Sequence, residues 1–151
     1  MPRSVVFPYS IALREGGAVD TFPAVEVHFI TKEHEQVPLL LLLDSGAAIS
    51  ALPRSDAAFF GVRVARGSPV RIAGISGVPV KGWRHLVPAV FAGEKIMLPV
   101  VFLNAPAPRI LGRAGIFERF AIIFEERRKR SAFLHADSRE AQALRGVVDA
   151  L

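Results

Sequence analysis

The chain has 151 residues, 51% of them apolar and 22% charged, which suits one packed domain and excludes both a two-lobed enzyme and an intrinsically disordered chain. Nineteen Lys and Arg against fourteen Asp and Glu leave a net charge of +5, basic but without a dense cationic tract dominating the chain. There is no cysteine, which excludes disulfides, Cys-ligated zinc, iron–sulfur clusters and thiol nucleophiles, and fits a reducing compartment.

In chain order, Met1 to Ser10 contain prolines and an arginine instead of an apolar run, so no secretory signal is visible. The longest aliphatic stretch, Leu39 to Leu43, falls far short of the roughly 20 residues of a spanning helix. The expectation is a soluble cytoplasmic protein with no membrane partner. Val25, Val27 and Phe29 alternate with Glu26 and His28, the period of a half-buried strand. The polar stretch Thr31–Gln36 reads as a turn and Val37–Leu43 as a return strand, apolar on both faces. Ser55–Phe60 reads as a short helix ended by Gly61. Pro69–Ala73 and Val78–Trp83 flank Gly74-Ile75-Ser76-Gly77 as a second hairpin, and Leu86–Phe91 and Ile96–Leu103 flank Ala92–Lys95 as a third. Pro88 and Pro99 cannot donate to a ladder, which places their strands at edges or bulges. Arg113–Phe120 has Ile116, Phe117 and Phe120 at helical spacing, and Phe120–Phe124 reads as a strand. Beyond the charge block Glu125–Arg130, Asp137 or Ser138 caps a helix with apolar positions Ala141, Leu144, Val147, Val148 and Leu151. The expected division is a mainly β domain over 1–125, then a basic linker and C-terminal helix over 126–151.

The chemistry concentrates at Leu41-Leu42-Leu43-Asp44-Ser45-Gly46-Ala47. An aliphatic strand running straight into Asp44 sets a carboxylate at the end of a buried element, where it is costly unless bonded or sharing a proton. Ser45 offers a hydroxyl, and Gly46 permits close backbone approach. Asp-Ser-Gly alone is also a common turn after a strand. Two further segments add weight: the glycine-tipped hairpin around Gly74–Gly77, and Arg109-Ile110-Leu111-Gly112-Arg113 followed by the strand Phe120–Phe124.

Taken in that order, the three segments resemble the retropepsin-like aspartic protease family, single-lobe relatives of pepsin that include the retroviral proteases. The resemblance spans about residues 20–125. It is strongest at Leu42–Ala47 and at Ile110–Phe124, the latter similar to bacterial members that read Leu-Gly-Arg before a Phe-containing turn and strand. It implies a closed β-barrel of the acid protease fold with a flap hairpin and a short helix, here extended by a C-terminal helical tail. It further implies that Asp44 is the catalytic aspartate and that Ser45, Gly46 and Ala47 support its loop, Ser45 in the role usually filled by Thr. Gly74, Ile75, Ser76 and Gly77 would form the flap over the substrate. Ile110, Leu111 and Gly112 would thread through the loop behind the active site. No metal, cofactor or covalent intermediate is implied.

Aspartic proteolysis needs two carboxylates sharing a proton across a water, and this chain has one Asp-Ser-Gly. The expectation is therefore a homodimeric endopeptidase acting on a peptide or protein substrate. The alternative is a dimeric peptide-binding or assembly module of the same fold with little or no catalysis. Retroviral members commonly carry an acidic residue four positions after the catalytic aspartate, paired with the arginine after the Gly; here that position is Ala48, which leaves Arg113 to find another partner or face solvent.

Rival chemistries lack their spacing. Ser45 has no Gly-x-Ser-x-Gly elbow, and His34-Glu35 would need its second zinc-binding histidine at Pro38. His28, His34, His85 and His135 are scattered, without metal-ligand spacing. Trp83 reads equally as a wall of the substrate cleft or as core packing. The charge run Arg127–Arg130 has no interleaved aromatics, so a solvated face is favoured over a nucleic-acid partner.

Overall fold

The alternation in Ala24-Val25-Glu26-Val27-His28-Phe29-Ile30 becomes one stave of a barrel, with Val25, Val27 and Phe29 fully buried and Glu26 exposed. The computed structural model describes residues 4–74 and 76–151. Its strands in chain order are β1 (Val5–Pro8), β2 (Ser10–Leu13), β3 (Val19–Phe22), β4 (Ala24–Ile30), β5 (Gln36–Leu43) and β6 (Ser50–Pro53). There follow β7 (Ser68–Ala73), β8 (Pro79–Phe91), β9 (Glu94–Leu103), β10 (Ile110–Leu111), β11 (Phe120–Glu125) and β12 (Arg130–His135). Short 3-10 turns span Arg54–Ala58, Val64–Arg66 and Glu126–Arg128, and one helix, α1, spans Arg139–Asp149.

Hydrogen-bonded neighbours run β4-β5-β10-β6-β9-β8, and β8 pairs back onto β4 at His28↔Val90 and Phe29↔Ala89. The ring closes, as expected of the barrel. Closure removes sheet edges around the core, where Leu41, Leu52, Leu98, Val100, Phe102 and Leu111 are wholly buried. β7 pairs only with β8 and stands outside the ring. The first expected turn is present, closed by Thr31 N–H donating to Glu35 carbonyl oxygen at 2.8 Å, with His34 at a φ of 62°. The third hairpin turns at Ala92 and Gly93, whose φ values of 51° and 81° match the twist of the paired strands.

Several expectations are corrected. The second and third hairpins share one uninterrupted 13-residue strand, β8. Pro88 and Pro99 lie on strands interior to the sheet, not at its edges. Each falls where its strand has a neighbour on one flank only: residues 85–88 of β8 pair only with β9, and residues 94–99 of β9 pair only with β8. A missing donor is therefore tolerated locally. The stretch Arg113–Phe120 is a run of turns, not a helix. Phe117 N–H reaches the Arg113 carbonyl and Phe120 N–H that of Ile116, but Gly115 at a φ of 81° interrupts the helical geometry.

The linker expected after residue 125 is instead a hairpin. Glu125 pairs with Arg128 and Arg130, and Glu126 with Lys129, so the charge block forms the turn between β11 and β12. β12 also pairs with β1, giving a three-stranded sheet β1-β12-β11. That sheet is fastened to the barrel by aromatics: the ring centre of Phe91 on β8 lies 5.1 Å from that of Phe133, 5.7 Å from that of Phe7 and 5.5 Å from that of Phe120. The helix follows as expected, Ser138 Oγ accepting from Ala141 N–H at 3.1 Å. Among the described residues no helix is long and apolar enough to cross a membrane.

Candidate active site

Asp44 is the first residue past β5, half-buried, with Ser45 and Gly46 exposed beside it. Gly46 N–H donates to Asp44 Oδ1 at 2.9 Å, which fixes the orientation of the carboxylate. The loop from Asp44 to Ser50 is held from behind by β10. This two-residue strand lies parallel to β5 (Ile110↔Leu42, Leu111↔Leu43) and antiparallel to β6 (Ile110↔Ala51). It therefore sits between the two arms of the loop. Asp44 N–H donates to the Leu111 carbonyl at 3.0 Å, Arg113 N–H to that of Ala47 at 2.9 Å, and Ala114 N–H to that of Ala48 at 3.0 Å. Gly112 N–H donates to the buried Ser50 Oγ at 3.0 Å. Glycine is required at 112 for space. A Cβ there would lie 2.4 Å from the carbonyl carbon of Ile49 and within 2.9 Å of its backbone nitrogen.

Asp44 opens onto a cleft of about 860 Å³, walled by Gly46, Ala47, Ala48, Ala51, Ile110 and Pro108 on the barrel side and by Ile72, Ala73, Gly74 and Val80 of the β7–β8 hairpin on the other. Asp44 is the one carboxylate among the described lining residues. At the hairpin tip, Gly77 N–H donates to the Gly74 carbonyl at 2.9 Å, and Gly77 has a φ of 71°. Ser76 is exposed, and Ile75 lies outside the described residues. Space does not demand glycine at 74 or 77, where an added Cβ would meet no atom within 4 Å. The positive φ is what favours glycine at 77. The fold thus gathers the three motif segments at one site, with Asp44 and Gly74 on opposite walls.

A model of the aspartyl protease family matches residues 30–116, which include the Asp44 motif, the Gly74–Gly77 hairpin and Arg109–Arg113. The chain belongs to the aspartyl protease family. Among solved structures, a retropepsin-like aspartic protease from Rickettsia conorii is similar in fold over 86% of this chain and 98% of its own, at 16% identity and a TM-score of 0.59. EIAV protease, solved in complex with the inhibitor HBY-793, is 25% identical, covering 64% of this chain and 86% of its own with a TM-score of 0.53. No curated protein sequence matches this chain.

Within this family member, Arg113 has a partner despite Ala48. Its Nη1 donates to the Ser45 carbonyl oxygen at 2.8 Å, so the guanidinium grips the loop backbone where a carboxylate is missing. Trp83 is not part of the cleft; it packs partly buried against the core. One pair escaped the sequence reading. Asp56, 3% exposed, accepts from Arg109 Nε at 2.7 Å and Nη2 at 3.0 Å. These bonds raise the guanidinium pKa above its ordinary value. They also anchor the residue whose carbonyl receives Leu42 N–H, immediately before β10. No local signal joins positions 53 residues apart.

Gly112→Ala is expected to destabilise the fold by about 1–3 kcal/mol through this backbone clash, since neither strand of the loop has room to yield. Urea unfolding beside Gly146→Ala, where an added Cβ meets nothing within 4 Å, measures it; equal stability of the two variants contradicts the packing described.

Proposed function

We propose that the protein is an aspartic endopeptidase in which Asp44 of one chain and Asp44 of the partner subunit form the catalytic dyad of a homodimer. The observation that carries this reading is the position of Asp44: half-buried at the end of β5, its Oδ1 bonded to Gly46 N–H, and the one carboxylate among the described lining of a largely apolar, peptide-sized cleft. One carboxylate cannot serve as both base and acid, so a two-fold dimer must supply the second.

The chemistry then follows from the pair. The ionised carboxylate takes a proton from a water as that water attacks the scissile carbonyl carbon, and the protonated one gives its proton to the carbonyl oxygen. As the tetrahedral adduct collapses, a proton passes to the leaving amine and the C–N bond breaks. Two adjacent carboxylates share one proton because both cannot ionise at close range. In this reading Gly46 N–H orients Asp44, Arg113 steadies the loop through the Ser45 carbonyl, and the exposed Ser45 hydroxyl is free to bond across the dimer. Gly74, Ile75, Ser76 and Gly77 serve as the flap that closes over the peptide and excludes water.

Asp44→Asn is expected to lower peptide cleavage by about a thousandfold or more while leaving the melting temperature unchanged or raised, since removing like charges at the axis relieves repulsion. Cleavage by Asp44→Asn at the parent rate contradicts the reading. Gly77→Val places a β-branched residue at a φ of 71°, a strain of about 1–3 kcal/mol confined to the hairpin tip. It is expected to reduce kcat/KM about tenfold while lowering the melting temperature by no more than about ten degrees; loss of folding would instead make the hairpin a structural element.

A further inference from the structure

The charge of this chain is unevenly placed. The stretch 45–93 carries six cations (Arg54, Arg63, Arg66, Arg71, Lys81 and Arg84) and a single carboxylate, Asp56. Asp56 is buried and committed to Arg109, outside the stretch. The rest of the chain holds thirteen cations and thirteen carboxylates, so one third of the sequence supplies the whole +5. Elsewhere several cations meet carboxylates: Arg14 pairs with Asp20, Arg119 with Glu94, and Arg128 and Arg130 with Glu125. Among the described residues, none of the six forms an ion pair.

The fold lines most of these cations along one path. Arg71 and Lys81 are direct cross-strand partners on β7 and β8, both exposed, so they project from the same face of the hairpin. Like charges so placed repel, an arrangement that an anion between them relieves. Two residues on, and on the same face by strand alternation, is Trp83. Lys81 Nζ lies 5.0 Å and Arg54 Cζ 5.2 Å from its ring centre. Two further on is His85, which lines a groove of about 450 Å³ with Lys32, Arg63 and Arg66 and with no carboxylate among its described lining. At about 3.3 Å per strand residue, Lys81 to His85 spans about 13 Å. The path begins at the Asp44 cleft itself, because Arg71 also lines that cleft.

We propose that this cationic track, from Arg71 and Lys81 to the groove at Arg63 and Arg66, docks an acidic segment of the substrate polypeptide flanking the bond to be cleaved. The proposal rests on the proteolytic reading of the Asp44 cleft and adds a substrate class to it: polypeptides with an apolar cleavage region next to a run of Asp or Glu. An extended acidic segment of about four to six residues matches the length of the track. A peptide is favoured over nucleic acid because the track opens into a largely apolar cleft, and because the Trp83 ring is already engaged by two cations and offers no free stacking platform.

The test uses two peptides with the same apolar core, one extended by four glutamates and one by four serines. Binding to the full Asp44→Asn chain is followed by fluorescence anisotropy, and cleavage by the parent chain is followed separately. The glutamate peptide is expected to bind about tenfold more tightly at low salt, and the advantage to vanish near 0.5 M salt, where the Debye length falls to roughly 4 Å. Arg63→Glu with Arg66→Glu, remote from the cleft, is expected to abolish the advantage while leaving cleavage of the serine peptide and the melting temperature unchanged. Equal binding of the two peptides, an advantage that survives high salt or the double variant, or preferential binding of an oligothymidylate of matching charge, overturns the proposal. Absence of cleavage of either peptide would count against the proteolytic reading alone, because docking is read by binding.

Discussion

Everything at the site depends on one piece of threading, the insertion of β10 between β5 and β6. A two-residue strand contributes little by its own pairing. Its value lies in where its flanking groups point. The Leu111 carbonyl receives Asp44 N–H, the Gly112 N–H reaches Ser50 Oγ, and the N–H groups of Arg113 and Ala114 close onto Ala47 and Ala48. A loop of exposed and half-buried residues is thereby held by backbone bonds from a segment more than 60 residues away in sequence. Barrel closure and the Asp56–Arg109 pair act in the same direction, fixing the entry to β10. Under the proposed function, a carboxylate held this way is positioned before substrate arrives, which is where electrostatic catalysis gains most.

The same economy makes one chain insufficient under the proposed function. A two-lobed relative can carry both carboxylates in one polypeptide; a single-lobe chain reaches the dyad only by symmetry. The terminal segments are arranged differently from a loose tail. β12 lies between β1 and β11, and Phe133 locks that sheet onto the barrel. The two ends of the chain therefore belong to one structural unit with the Asp44 loop.

Much of this was legible in the sequence wherever a signal is local. Period-two alternation marked β4, the polar gap at Thr31–Gln36 marked its turn, and Ser138 marked the start of α1. The motif at Asp44, the hairpin of glycines and Ile110-Leu111-Gly112 were read as one family pattern, which the family match and the barrel bear out. Signals that depend on distant partners were not legible. β1, β2 and β3 are four residues each, and although their exposure alternates in the fold, runs such as Val5-Val6-Phe7-Pro8 carry no matching alternation of apolar and polar residues. The block Glu125–Arg130 resembles a solvated linker in composition because its charges cancel across a hairpin that only the pairing of β11 with β12 reveals. Arg113–Phe120 has helical spacing of apolar residues, but spacing is blind to the positive φ of Gly115. Asp56 falls inside the stretch that reads as a short helix, and only the fold brings Arg109 to it.

The central claim is that a single active site is shared by two copies of Asp44, and mixing experiments address it directly. Parent and Asp44→Asn chains are combined at increasing ratios, allowed to exchange subunits, and assayed for peptide cleavage at constant total chain. With a shared dyad, only dimers of two parent chains are active, so equal mixing leaves about a quarter of the activity by random pairing. A linear decline, with about half the activity at equal mixing, would show that each chain carries its own site and would contradict the account.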